Sequence, residues 1–313
     1  MALPIVAVTG ATGFIGQRLV RMLADAGYQV RALARRVPAR EDVADDVTWV
    51  FGSLADQDAL ASLVKGADAV VHCAAAIKAA NRDAFLAVNS GGTRLLASIA
   101  AAQPVPPRFI LLSSIAAREP RLSHYAASKR AGELALRAFP QLPAVILRPP
   151  AVYGPGDMET LQIFRMAARG FVPAPMVDNA RMSLVHVDDV AGAVLAALKL
   201  ADLPEHPIEF DDGKPGGYSW VEIAAAAGAA LRVRPKVIPI PAAVFYLIGG
   251  LASIAAALTR RPTVLSWGKV PELLHPDWAA AAGAFPGYKP LWDIGNGFKD
   301  AVTWYTSRGL LTS

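Results

Sequence analysis

Thr9-Gly10-Ala11-Thr12-Gly13-Phe14-Ile15-Gly16 follows a short β-branched run, Ile5 to Val8. It precedes Gln17 to Ala26, where Leu19, Val20, Leu23 and Ala26 recur at helical spacing and Gly27 closes the pattern. Three glycines spaced GxxGxxG between a strand and a helix have a physical use. They permit a tight turn and the close approach of backbone to a pyrophosphate, while the free N–H groups and dipole of the helix start favour its negative charge. Gly10, Thr12, Gly13, Phe14, Ile15 and Gly16 are therefore candidate dinucleotide contacts. The competing reading, an ordinary Gly-rich turn, is disfavoured by the strand and helix on either side.

Outward from this turn the pattern repeats. Gln29 to Leu33, Val47 to Phe51, Ala69 to His72, Phe109 to Leu112 and Ala144 to Leu147 read as strands separated by helix-compatible segments, with a strong helix over Tyr125 to Ala138. Alternating strand and helix predict an α/β fold with a doubly wound parallel Rossmann sheet. After Arg148-Pro149-Pro150 the alternation lapses, and Gly154-Pro155-Gly156, Pro173-Ala174-Pro175 and Lys214-Pro215-Gly216-Gly217 mark loops. The expected organisation is a dinucleotide-binding core over 1–150, with 183–203 returning to it, and a smaller mixed substrate lobe over 151–313.

Composition bounds the function. The 313 residues are 54% hydrophobic and 18% charged, which suits a large buried core. The net charge of +5 is scattered rather than gathered into a basic tract, so no nucleic-acid partner is expected. The single Cys73 cannot form an internal disulfide and fits a reducing compartment. The N-terminal apolar run passes straight into the glycine motif and reads as a strand, not a signal peptide, which makes a cytoplasmic location the expectation. Val237 to Thr259 holds no charged residue and is followed by Arg260-Arg261. Its length is about that of a bilayer crossing, but Pro239, Pro241, Gly249-Gly250 and the alanine content argue against one. A buried or lid helix is expected there, with peripheral membrane contact through 237–261 as the alternative.

The end of the second predicted strand, Ala32-Leu33-Ala34-Arg35-Arg36, lacks the acidic residue that would bind a ribose 2′-hydroxyl. Two guanidiniums suit a 2′-phosphate instead, so NADP is expected ahead of NAD. A solvated loop with two surface arginines is the alternative. Further on, Tyr125 and Lys129 stand four apart at the start of a helix, on one face. A cation there pulls the phenol's pKa down from about 10 towards the range where it exchanges protons. Ser113 and Ser114 end the fifth strand, at the edge where ligands bind in such sheets. His72 reads as a hydrogen-bonded strand-end residue, and His186 with Asp188 and Asp189 as a structural turn and helix cap.

Together, TGATGFIG at 9–16, HCAAA at 72–76, VNSGGT at 88–93, LLSS at 111–114, YAASK at 125–129, RPPAVYGPGD at 148–157 and VHVDDVAGAV at 185–194 resemble the extended short-chain dehydrogenase/reductase family, the NAD-dependent epimerase/dehydratase-like group. The motifs are closest to its dihydroflavonol reductase and 3-beta-hydroxysteroid dehydrogenase branches. The resemblance implies Tyr125 as acid/base, Lys129 as the ribose-binding residue that lowers the tyrosine pKa, and Ser114 rather than Ser113 as ligand of the substrate oxygen. It implies cofactor contacts at Arg35, Ser53, Leu54, Ala74, Ala75, Asn89, Pro149, Pro150 and Val152, with Arg36 beside Arg35. It also implies a homodimer. Two departures stand out: Ser53 replaces the usual aspartate at the adenine, and only eleven residues separate Ser114 from Tyr125.

These features predict an NADP-dependent oxidoreductase with a small-molecule substrate, exchanging hydride with a secondary alcohol or ketone. Phe245, Tyr246, Leu247, Leu251, Leu265 and Trp267 point to a hydrophobic, sterol-like or bulky substrate. One alternative is a nucleotide-sugar epimerase or dehydratase with tightly held NAD, for which Arg165, Arg169 and Arg181 are the candidate diphosphate ligands. Another is a non-catalytic NADP-binding accessory subunit.

Overall fold

A computed structural model describes residues 3–36, 47–259, 267–281, 283 and 285–311. The first strands and helices follow the apolar pattern: β1 (Ile5–Thr9), α1 (Phe14–Asp25), β2 (Gln29–Ala34), β3 (Val47–Phe51), α2 (Gln57–Val64), β4 (Ala69–His72), α3 (Arg82–Leu86), a π-helical turn over Ala87–Gly92, α4 (Thr93–Ala101), β5 (Arg108–Leu112), α5 (His124–Arg137) and β6 (Ala144–Arg148). The expected α/β architecture is what forms. Seven strands make one sheet in the order β11-β6-β5-β4-β1-β2-β3, where β11 is Ile208–Glu209, and the pairings among β1 to β6 are parallel. The middle strands are mostly apolar, as expected where helices cover both faces. Leu60, Leu63, Leu96, Phe109 and Leu136 form the core between them.

Topology places the site. The chain runs from β1 outward to β2 and β3, then crosses back to pair β4 with the other side of β1. Thr9 and His72 are the last partners of that pair, so the Gly turn after β1 and the loop after β4 open at the same carboxyl edge, the switch point of the sheet. Gly10 turns there at φ +75°, and a β-carbon on it would lie 2.6 Å from the Ala74 nitrogen. A β-carbon on Gly16 would lie 2.0 Å from the Gly10 carbonyl oxygen. Helix, turn and neighbouring strand can therefore touch only through glycine.

The chain divides into two compact units: Met1–Arg148 with Val190–Ile208 and Ala284–Tyr288, and Pro149–Asp189 with Glu209–Gly283 and Lys289–Ser313. The remaining elements are β7 (Ala151–Tyr153), α6 (Leu161–Ala168), β8 (Phe171–Pro175), β9 (Arg181–Met182), β10 (Leu184–His186), α7 (Val187–Leu198), α8 (Trp220–Leu231), β12 (Lys236–Ile240), α9 (Ala242–Thr259), α10 (Val270–Leu273), β13 (Asp277–Trp278) and α11 (Ile294–Ser307). The second unit has its own aromatic core, in which Phe298 meets Tyr153 and Phe164 edge-on at 5.0 and 4.9 Å. The buried or lid helix expected over Val237–Thr259 forms from Ala242 onward, and it is not buried along its whole surface. The first residues of that range pair with β8 as β12, Pro241 separates strand from helix, and α9 leaves Leu247, Leu251 and Ile254 exposed. Among the described residues no helix is long and apolar enough to cross a membrane.

The glycine contacts yield a test by contrast. Gly16→Ala should cost about 1–3 kcal/mol or more, because backbone must move. Gly27→Ala, at φ +83° but in open space, should cost only the backbone penalty, about 1–2 kcal/mol. Urea midpoints that fall equally for the two would show that close approach does not govern the first turn.

Candidate active site

The Gly turn leads into a helix whose N-cap, Gly13, offers no side chain to the first N–H groups. Those of Phe14, Ile15 and Gly16 are left for an anion, and the cradle that a β-carbon would fill fits a pyrophosphate. Thr12 and Gly13 are exposed beside it. At the end of β2, Arg35 and Arg36 are both exposed, and Arg40 of the same basic cluster lies outside the described residues. Ser53 accepts a hydrogen bond from the Ala55 nitrogen at 3.2 Å, and Leu54 packs where a β-carbon on Gly92 would lie.

The loop after β4 is held from two sides. Thr9 Oγ1 lies 2.6 Å from His72 Nδ1, and His72 Nε2 lies 3.0 Å from Thr93 Oγ1. Burial, with the Lys129 charge adding to it, pushes the imidazole down to about 3, so His72 is a neutral bridge between strands and α4. Asn89 takes a hydrogen bond from the Ala76 nitrogen at 2.7 Å, donates to the Ala76 carbonyl at 3.0 Å, and donates to Ser128 Oγ at 2.8 Å. It sits in the π-helical turn, an irregularity common at functional sites. Ala74 and Ala75, half-buried, are thus fixed between Gly10 and Asn89.

α5 is capped by Ser123, whose side chain accepts from the Ala126 nitrogen at 2.9 Å. That start point puts Tyr125 in the first turn, half-buried and edge-on to Phe85 at 6.2 Å. One turn later Lys129 is buried and donates from Nζ to the Leu112 carbonyl at 2.8 Å. Burial pushes its ammonium down to about 8, against the pull of Glu133 and Cys73, which raise it. Glu133, a further turn along, is fully buried and receives two hydrogen bonds from Arg148 at 2.8 and 2.7 Å, one from Ser113 at 2.6 Å and one from Arg130 at 3.2 Å. Neither Glu133 nor Arg148 was expected from sequence to matter. The available signal was the i, i+4, i+8 series Tyr125, Lys129, Glu133 on one helix face.

The two serines separate cleanly. Ser113 donates to Glu133, whereas Ser114 accepts from the Ala116 nitrogen at 3.2 Å as it caps a short 3-10 turn, a contact that does not use its hydroxyl proton. Ser114, Tyr125, Lys129, the Gly turn, Ser53, Leu54, Ala74, Ala75 and Asn89 all belong to the first unit. Pro149, Pro150 and Val152 belong to the second, before and on β7. In that unit, buried His186 stacks on Trp292 at 4.3 Å with Nε2 3.3 Å from Asp300, and burial holds its pKa down against the nearby carboxylates. Asp189 accepts from the Leu291 and Trp292 nitrogens at 2.8 and 3.1 Å, tying a loop to the start of α7.

The sequence pattern of the NAD dependent epimerase/dehydratase family matches residues 6–211. A ceramide reductase of Caulobacter vibrioides is 42% identical over 98% of this chain and 96% of its own length. A UDP-glucose 4-epimerase of Vibrio cholerae is 25% identical over 89% of this chain and 94% of its own. Among solved structures, UDP-glucose 4-epimerase of Thermus thermophilus in complex with NAD has a TM-score of 0.70 at 22% identity, covering 98% of this chain and all of the other. Four further solved structures of this fold, two of them of one protein, are also described with NAD.

Two expectations are corrected. The NADP expectation is overturned by the solved structures of this fold, which are described with NAD, and Arg35 and Arg36 stand exposed at the strand end. The NADP-dependent oxidoreductase of a sterol-like substrate is overturned with it, by NAD-bound sugar-nucleotide enzymes of the same fold and the epimerase relative. The residues that had suggested a hydrophobic lobe give a physical reason. Leu247, Leu251 and Trp267 face solvent, and Leu265 lies outside the described residues.

Two measurements probe the buried charges. Glu133→Ala removes the carboxylate that the buried Arg148 guanidinium meets and should cost about 3–5 kcal/mol in urea unfolding; a loss below about 1 kcal/mol would mean that the pair holds nothing together. Lys129 has its folded pKa depressed to about 8 from an ordinary 10.5, so the unfolded chain binds more protons between these values. Its contribution makes stability rise with pH across that window and fall as pH drops through about 8. Lys129→Met should flatten the slope of stability against pH between 8 and 10.5, and an unchanged slope would remove Lys129 as its source.

Proposed function

The chain belongs to the NAD dependent epimerase/dehydratase family, and from that premise we propose that it is an NAD-linked reductase of a carbonyl group on a ceramide-class lipid. It is an enzyme of the extended short-chain dehydrogenase/reductase type. The observation that carries the substrate class is the near full-length match to the ceramide reductase. Within the family we place it nearer that relative than the dihydroflavonol reductase and hydroxysteroid dehydrogenase branches that its motifs resemble.

Residues 1–150 are assigned to cofactor binding and 151–313 mainly to substrate recognition. The Gly10–Gly16 turn would hold the pyrophosphate, and Lys129 the nicotinamide ribose. Bound there, NAD supplies the hydride donor or acceptor. Tyr125 gives a proton to the carbonyl oxygen, Ser114 donates a hydrogen bond to the same oxygen, and the Lys129 cation stabilises the phenolate left on Tyr125. Glu133 acts through Lys129 as a positioning residue. With a single Cys73 the chain fits a reducing compartment, and a cytoplasmic location is part of the proposal.

A nucleotide-sugar epimerase or dehydratase is the second reading, favoured by the Vibrio relative. It needs cations for a diphosphate. Arg181 is bound to Glu222 at 2.8 Å and Arg165 donates to the Leu310 carbonyl, which leaves fewer of the candidates uncommitted.

The test is to follow NADH and NADPH oxidation by the purified protein with a ketoceramide in detergent, beside conversion of UDP-glucose. NADH oxidation with the ketoceramide is expected, with kcat lowered at least about 100-fold in Tyr125→Phe while NADH still binds. Conversion of UDP-glucose with no turnover of the lipid would put the second reading in its place.

A further inference from the structure

α9 has the wrong side out for a helix of a water-facing surface. Along its 18 residues, Val244, Leu247, Ile248, Leu251 and Ile254 recur at spacings of three and four and are all exposed, Leu247 at 63%, Leu251 and Ile254 at 60%. An apolar stripe normally faces the core. Here the opposite side is the covered one: Gly249 is buried, and Trp267 packs against the helix through Tyr246 at 4.9 Å and through the Ser253 hydroxyl, which accepts from its backbone nitrogen at 2.9 Å. Trp267 itself remains 57% exposed.

Charge identifies the occupant. From Ile223 to Pro271 the sequence contains no acidic residue, while Arg232, Arg234, Lys236, Arg260, Arg261 and Lys269 are basic. Lys269 is paired with Glu272. Arg232, Arg234 and Lys236 are exposed at alternating positions on the approach to and start of β12, leading to exposed Ile238 and then to α9. Arg260 and Arg261 follow α9 directly in the sequence. Apolar side chains flanked by cations, with no anion among them, match the surface of an anionic phospholipid bilayer. They do not match a second copy, since a two-fold contact would set one basic segment against the other.

We propose that α9 lies in the plane of an anionic membrane surface, inserting Leu247, Leu251 and Ile254 between headgroups while Arg232, Arg234 and Lys236 hold phosphates. A helix of this length would lie along about 27 Å of the interface without crossing it. The inference concerns where the protein sits and does not rest on the substrate assigned above.

The experiment is flotation of the whole protein with phosphatidylcholine vesicles, with and without phosphatidylglycerol, beside light scattering of the free protein. Flotation is expected with the anionic vesicles and should weaken in high salt. Leu247→Glu with Leu251→Glu should weaken it about tenfold or more, and Arg234→Gln with Lys236→Gln about fivefold for each cation removed. Both variants alter side chains outside the core and should melt as the parent does. The proposal is overturned by failure to float with either vesicle, or by flotation that the leucine pair leaves unchanged. It is equally overturned by a dimer in light scattering that the leucine variants split without any vesicle binding. No readout involves turnover, so the vesicles and the ketoceramide assay can fail independently.

Discussion

A carboxylate removed from water must be met by cations and donors, and Glu133 is met on every side. Arg148 ends β6, Ser113 follows β5, and Glu133 itself stands on α5, so one buried charge fixes the edge of the sheet to the helix that carries Tyr125 and Lys129. Such a pair adds little net stability over a well-packed apolar contact. Its value is orientation. The guanidinium fork admits one geometry, and α5 cannot slide along the sheet without breaking two hydrogen bonds. Lys129 feels the same carboxylate: burial lowers its pKa and Glu133 raises it, and the balance leaves the ammonium mostly protonated at neutral pH.

Asn89 makes a second junction of this kind. Its side chain holds both backbone groups of Ala76 and also Ser128, the residue before Lys129. A β-carbon on Gly132 would lie 2.4 Å from the Asn89 carbonyl oxygen, so α5 and the π-helical turn approach as closely as backbones can. The loop after β4, which stands beside Gly10, is by this means fixed to the helix bearing Tyr125.

The sheet was legible in sequence because parallel strands covered on both faces read as largely apolar runs, and Ile5, Gln29, Val47 and Ala69 begin strands where the sequence predicted them. α1 starts at Phe14 rather than Gln17, since glycine and aromatic residues hide a helix start that backbone geometry sets. Tyr125 and Lys129 were singled out by spacing, and both lie on α5. Glu133 was not, because Lys-Arg-Ala-Gly-Glu reads as a solvated face and nothing in a single chain says that the side is covered. The same blindness applies to Arg35 and to α9. Two arginines after a strand look alike whether they hold a phosphate or water, and a helix apolar all round gives no periodicity from which to tell the packed side from the open one.

What the fold shares with its relatives and what it does not are separable. On the proposed reading, the Gly turn, the loop after β4 and the Tyr–Lys helix carry cofactor binding and proton transfer, chemistry that a reductase and an epimerase of this fold could share. Substrate choice must then arise in groups that the shared chemistry does not use. In the second unit those groups are conspicuously occupied. Arg181 lies against Glu222, which Ser219 and Lys214 also engage, and Arg165 closes on the end of the chain at Leu310. Binding a diphosphate with either would first mean breaking an interaction already made, and a neutral lipid headgroup makes no such demand.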